Sequence, residues 1–134
     1  MGQGVTGSSM LRNQAVMMEG VPDAYAAFRN PLLRTRATIE RGARVYARSC
    51  AACHGDTGLG DGPAGRALSH PPANLAWLSR MPASLWDPFM YWTITEGGAL
   101  LHTAMPSFKD SLSKGDRWAV IAYIQARLPR SKSR

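Results

Sequence analysis

Apolar and small residues return at helical spacing in three stretches of this chain, and no stretch alternates convincingly as a strand. In the first stretch Ile39, Gly42, Ala43, Tyr46, Cys50 and Cys53 fall on one face, while Arg41, Arg44 and Arg48 share an outward face. That pattern predicts a helix over 38–53, with the Thr38 hydroxyl at its start. In the second, Phe89-Met90-Tyr91-Trp92-Thr93-Ile94 predicts a helix that opens at Asp87, places Pro88 in its first helical position and stops at Gly97-Gly98. Residues 84–86 can add a turn before it. In the third, Ser113-x-x-Asp116 reads as a capping box ahead of the apolar run 118–124, and Pro129 closes the element. No internal repeat is present. The reading is all-α, with long loops between the helices.

The connecting segments are polar, or rich in glycine and proline. Residues 1–37 read as an extension without a clear fold of its own, weakly helical over 10–18. A turn at Pro22, a short helix capped by Asp23 and another turn at Asn30-Pro31 follow. Met10, Met17 and Met18 invite a copper site, but adaptable apolar side chains packing on the main domain explain them better. The segment 55–76 is too glycine-rich for a regular element. Gly60-x-Gly62-x-x-Gly65 matches a dinucleotide fingerprint as letters, yet no strand precedes or follows it. Asp56 and Asp61 are misplaced for a calcium loop, and no terminal Glu follows.

Charge narrows the class of partner. The 134 residues carry 16 Lys plus Arg against 9 Asp plus Glu, a formal net charge of +7. The positives are scattered, with one cluster in the tail 129–134, and they do not interleave with aromatics as nucleic-acid platforms do. This argues against nucleic acid and reads either as docking electrostatics, toward an acidic redox partner or an anionic membrane surface, or as simple solubility. No stretch approaches the roughly 18 apolar residues of a membrane helix. The first residues show neither a basic nor an apolar leader region.

The chemistry concentrates in Cys50-Ala51-Ala52-Cys53-His54, which spells C-x-x-C-H. Two thiols one helical turn apart can add across the two vinyl groups of a porphyrin, and the adjacent His can then supply an imidazole to the iron. A thioredoxin pair would open a helix after a strand, whereas this motif closes a helix. A structural zinc site needs about four ligands, and these are the only two cysteines. The implied cofactor is one covalent haem c. Such haems are attached outside the bacterial plasma membrane, so the expectation is a periplasmic protein whose leader or tether lies outside this sequence.

The candidates for a sixth iron ligand are Met81, Met90, Met105, His70 and His102. Met105 is best placed, in the loop 97–108 between two helices, with Pro106 stiffening the backbone after it. Met81, also followed by Pro, is second, and Met90 reads as core. The two histidines read as loop residues near a haem edge or in solvent. A thioether ligand favours ferrous iron and raises the reduction potential. Trp77, Trp86 and Trp92 are candidates to wall the haem or to donate an indole N–H to a propionate, and Arg66 and Arg80 could pair with propionates.

The chain resembles the class I mono-haem cytochromes c of bacterial type over about residues 38–128. The resemblance rests on Cys50-x-x-Cys53-His54, Pro72-Ala73-Asn74-Leu75, Met105-Pro106-Ser107-Phe108 and the run 118–124. It implies the cytochrome c fold, with the first and last helices crossing at a near right angle. Gly42, Tyr46 and Tyr123 match the positions at that crossing. It also implies that the carbonyl of Pro72, or of Pro71 if the register slips by one, accepts the ring N–H of His54. The function implied is electron transfer rather than catalysis, by a periplasmic carrier or by a cytochrome subunit of a redox complex. A peroxidase-like enzyme would need an open iron site, and no distal acid–base pair stands out near Met105 except His102. A sensor of the cytochrome c′ type would carry C-x-x-C-H near its C-terminus, and here the motif lies well before the end.

Overall fold

A computed structural model of the chain describes residues 16, 20–66, 75, 80–98 and 104–127. Every regular element among them is helical: α1 Asp23–Ala26, α2 Arg36–Ser49, α3 Ala51–His54, α4 Pro63–Arg66, α5 Ala83–Glu96 and α6 Lys114–Arg127. Of the expected helix over 10–18 only Val16 is described, helical and half-buried against the core; the three methionines lie outside the described residues.

The frame is the contact between α2 and α6. Gly42 makes it possible, because a Cβ there would overlap the Ala119 carbonyl oxygen and approach Tyr123 Cβ to 2.6 Å. Removing one methyl group's worth of side chain therefore lets two backbones meet. The rings of Tyr46 and Tyr123 flank the contact, 5.6 Å between centroids. Arg41, expected on an outward face, instead reaches across to α6 and pairs with Asp116, Nε to Oδ1 2.8 Å. Arg44 and Arg48 do face outward.

Helix boundaries differ from the sequence reading for local reasons. The cap of α2 is Thr35, in extended backbone, whose Oγ1 accepts the Thr38 N–H at 3.2 Å; Thr38 is already helical. The predicted helix over 38–53 is two elements, because Cys50 leaves helical backbone at φ −123° and ψ −34° and α3 starts a new turn. In α1, Asp23 is the first helical residue and Pro22 the cap, with no side-chain cap bond. At α6, Ser113 Oγ accepts the Asp116 N–H at 3.1 Å, the expected half of the capping box, while the Asp116 carboxylate serves Arg41 rather than closing the box.

Helix α5 begins at Ala83, four residues earlier than Asp87, so Pro88 sits in its second turn rather than at its start. The proline leaves the Ser84 carbonyl without its i+4 donor, a loss that is tolerable because Ser84 is exposed to water. From Trp86 to Thr95 the helix is buried on all sides. It is held between α6 and the segment 20–34, which crosses it from outside. Phe28 meets Tyr91 edge-on at 5.3 Å, and Tyr91 stacks on Trp118 at 4.1 Å and 8°. The segment read as lacking a clear fold of its own thus has ordered contacts with the helices.

Candidate haem site

The C-x-x-C-H turn is α3 with the residue before it. Its backbone is continuous with α2 by hydrogen bonds even though the axis breaks. Cys50 N–H donates to the Tyr46 carbonyl at 2.9 Å, and His54 N–H donates to the Cys50 carbonyl at 3.0 Å. The following loop then folds back over the turn. Gly60 N–H donates to the His54 carbonyl at 2.8 Å, and Gly62 N–H to the Cys53 carbonyl at 3.1 Å. These satisfy carbonyls that a helix end leaves without partners.

The glycines of this loop answer to that fold-back. Gly55 and Gly60 have φ of +83° and +86°. A Cβ on Gly62 would sit 2.6 Å from the Ala51 carbonyl oxygen. Tyr46 reaches over from α2 and donates its hydroxyl to the Gly55 carbonyl at 2.5 Å. Sequence alone identified a loop here; the requirement for close backbone approach is what makes it glycine-rich.

Burial, and then the neighbouring Cys53, push the Cys50 thiol up to about 12. That is the reverse of the activated thiolate of a redox-exchange pair. Among the described residues no three His, Cys, Asp or Glu side chains gather around a metal position. A cofactor that brings its own iron needs only axial donors.

Met105 lies in a loop tied to the end of α5. Gly97 ends that helix at φ +83°, and a Cβ on it would meet Ser107 N at 2.8 Å and Met105 O at 3.0 Å. Gly98 N–H donates to the Met105 carbonyl at 3.0 Å, and Phe108 N–H to the Ile94 carbonyl at 2.9 Å. Ser107 Oγ donates to the Thr95 carbonyl at 2.6 Å. Thr95 Oγ1 in turn accepts from Arg117 Nη1 at 2.9 Å. Arg117 is 5% exposed and lies 5.3 Å over the Tyr91 ring. Thr95 and Arg117 were not singled out from sequence, and Ser107 was named only within the Met105-Pro106-Ser107-Phe108 motif, without a role. The Gly97-Gly98 pair was the available signal for the closure, and the Thr95 hydroxyl and Arg117 guanidinium carry no motif.

Cys50, Ala51, Met81 and Met105 all pack, half-buried, against one core that includes Trp86, Phe89 and Ile121. The fold therefore gathers the cysteine turn and both loop methionines around the same apolar body. Met90 is buried mid-helix, as a core residue. Trp86 is 0% exposed, and its Nε1–H has no partner among the described residues. A buried donor left unpaired costs about 1–3 kcal/mol. The donor set that fits a haem is the cysteine turn, the adjacent His54 and a loop thioether, gathered on one apolar core. Trp92 is buried against Phe89 at 6.3 Å. Arg80 is exposed. Pro72, Pro71, His70, Trp77 and His102, and the side chain of Arg66, lie outside the described residues.

An all-helical domain with its first and last long helices in contact, a C-x-x-C-H turn between them and a methionine loop after the buried helix defines a c-type cytochrome. Its cofactor is covalently bound haem c, and its chemistry is haem-based electron transfer. Residues 37–124 match the family described as cytochrome C oxidase, cbb3-type, subunit III, and the chain belongs to that family. It is also similar to the thiosulfate dehydrogenase of Stutzerimonas stutzeri, 36% identical over 89 residues, 66% of this chain and 27% of that protein. In fold it resembles a chain of the Kuenenia stuttgartiensis reducing HAO-like protein complex. That likeness has a TM-score of 0.57 and 28% identity, covering 74% of this chain and 46% of the other. The chain thus spans about a quarter and just under half of the two proteins it is compared with. No helix among the described residues is long and apolar enough to cross a membrane.

Proposed function

We propose that Cys50 and Cys53 carry the haem through thioether bonds, that His54 and Met105 are its axial ligands, and that the chain relays single electrons between periplasmic redox partners. The carrying observation is the closure of the Met105 loop on α5, through Gly97, Ser107, Thr95 and Arg117. These contacts hold the Met105 backbone against the end of α5, where its side chain is half-buried on the core.

When bound, the haem supplies a ferric–ferrous couple. The protein's part is to hold and exclude. The capped turn over 50–62 fixes His54, and the Met105 loop fixes a soft thioether donor that favours the reduced state. Two fixed ligands keep reorganisation small. By the resemblance, Pro72 orients the His54 ring. The buried run of α5 keeps water out of the core. The exposed Arg44 and Arg48 on α2, with a net charge of +7, favour an acidic docking surface on the partner. The likeness to a chain of a multi-protein complex supports a place as the cytochrome subunit of a larger redox assembly.

A second reading takes the similarity to a thiosulfate dehydrogenase as a sign of catalysis at an open iron site. The two separate on the ferric optical spectrum. With His54 and Met105 on the iron, the long-wavelength sulfur-to-iron band is present and Met105→Ala abolishes it. Absence of the band in the unaltered protein, with ready binding of small ligands, would overturn the carrier reading in favour of catalysis.

A further inference from the structure

We propose that residues 20–34 are a clamp that positions the Met105 loop, with Tyr25, Phe28 and Asn30 as its positioning residues. The segment lies outside the family match over 37–124. The inference rests on the reading of Met105 as the sixth ligand.

The clamp grips α5 along its length and ties it to α6. Near the start of α5, Asn30 N–H donates to Asp87 Oδ2 at 3.0 Å, while Asn30 Nδ2 donates to the Trp118 carbonyl of α6 at 2.9 Å. The Asn30 side-chain oxygen accepts the Leu32 N–H at 3.0 Å, so the bridge is itself held in place. In the middle, Phe28 wedges edge-on against Tyr91 at 5.3 Å and Trp118 at 6.4 Å. At the far end, the Tyr25 hydroxyl donates to Glu96 Oε2 at 2.5 Å. Arg34 donates to Gln125 Oε1, and Gln125 Nε2 reaches the Met81 carbonyl at 3.0 Å, just before α5 begins.

The end points matter most. Glu96 immediately precedes Gly97, on which the Met105 backbone rests, and it also faces Lys109 Nζ at 3.9 Å, just past the other end of the loop. Tyr91, under Phe28, carries the guanidinium of Arg117, which holds Thr95, which holds Ser107. Both grips therefore feed the root of the Met105 loop, one directly and one through Arg117. A strap that only covered an apolar face would need the rings of Tyr25 and Phe28 but not a hydrogen bond to a carboxylate at the loop's root.

The test measures how easily Met105 leaves the iron in the ferric holoprotein. Imidazole at fixed neutral pH serves as the probe, and its binding is followed by stopped flow. The expected result is about 5-fold faster imidazole entry in Tyr25→Phe and about 10-fold in Phe28→Ala, the factors that ~1 and ~1.4 kcal/mol of lost support would give. Haem content and helicity stay at wild-type levels. Leu33→Ala, on the same segment but 78% exposed, keeps the wild-type rate. Rates within twofold of wild type in Tyr25→Phe and Phe28→Ala, even with a lowered melting point, would reduce the segment to a structural cover and overturn the proposal. If Phe28→Ala does not fold, Tyr25→Phe, which keeps its ring, decides alone. A wild-type protein without the sulfur-to-iron band, whose imidazole rate Met105→Ala leaves unchanged, sinks the ligand reading itself. The clamp's role toward the iron then falls with it, a result distinct from failure of the clamp alone.

Discussion

The two flanks of the site are held in different ways. The cysteine turn is held by its neighbours in sequence: Tyr46, Gly55, Gly60 and Gly62 all lie within a dozen residues of Cys50 or Cys53. The Met105 loop is held by side chains of the helices on either side of it, Thr95 and Arg117, and from afar, through Glu96 and Tyr91, by Tyr25 and Phe28. A flank closed by local backbone bonds can form once its own segment folds. A flank closed by long-range side chains forms only when α5, α6 and the outer segment have docked. The first arrangement suits a permanent covalent attachment. The second suits a ligand whose hold can be tuned from outside.

The most severe test removes the frame that both flanks share. Gly42→Val puts a branched side chain into the Ala119 carbonyl. The expected cost is about 4 kcal/mol or more, in the range reached only by serious core disruption. Denaturant unfolding would show it, and a midpoint close to wild type would mean that the two helices part easily.

A smaller and more selective effect should separate the flanks. Gly97→Ala forces a Cβ against Ser107 N at a left-handed backbone position, with an expected loss of about 1–3 kcal/mol. It should weaken or abolish the sulfur-to-iron band while leaving haem attachment intact. Gly62→Ala, which crowds the Ala51 carbonyl, should do the opposite, lowering the yield of attached haem more than it disturbs the Met105 loop. If both variants lose the same property, the flanks are one unit and the contrast between them is wrong.

Asp116→Asn should matter less. It weakens the Arg41 pair, whose side chains are 42% and 28% exposed, so the expected cost is under about 1 kcal/mol. The Ser113 cap uses the Asp116 backbone and survives. A thermal shift matching a larger loss would show that the pair, and not the Gly42 contact, sets the α2–α6 frame.

The least effect is expected from pH. Burial, followed by the hydrogen bond to Glu96, raises the Tyr25 hydroxyl from 10.0 to about 12. A group whose folded value lies above its unfolded value stabilises fully below the unfolded value. Its contribution is complete below pH 10 and is lost as pH rises toward 12. Melting points of wild type and Tyr25→Phe should therefore converge over that window. Parallel curves would show that the Tyr25–Glu96 bond contributes nothing in solution. Tyr46 is also raised, by burial, but it is present in both proteins and cancels.

The same contrast explains what could be read in advance. The C-x-x-C-H turn, the stop at Gly97 and the Ser113 cap are local signals, and each appears where its residues stand. The start of α5 was misplaced because Pro88 has two legitimate positions, first turn or tolerated interior. Choosing between them requires knowing that the Ser84 carbonyl faces water. Arg41 was put on the outward face because helical periodicity says which residues share a face, not which neighbour a long side chain can reach. The segment 20–34 was read without a fold of its own because its grip depends on partners more than 50 residues away, at Asp87, Tyr91, Glu96 and Trp118.

By itself the sequence determined the class of fold, the cofactor and the chemical candidates, because covalent haem chemistry, helix periodicity and glycine stops are written in neighbouring residues. Only the tertiary structure decided how the Met105 loop is fastened, which arginine is buried beneath it and what the outer segment grips. Those depend on distances between residues far apart in the chain, which no local pattern encodes.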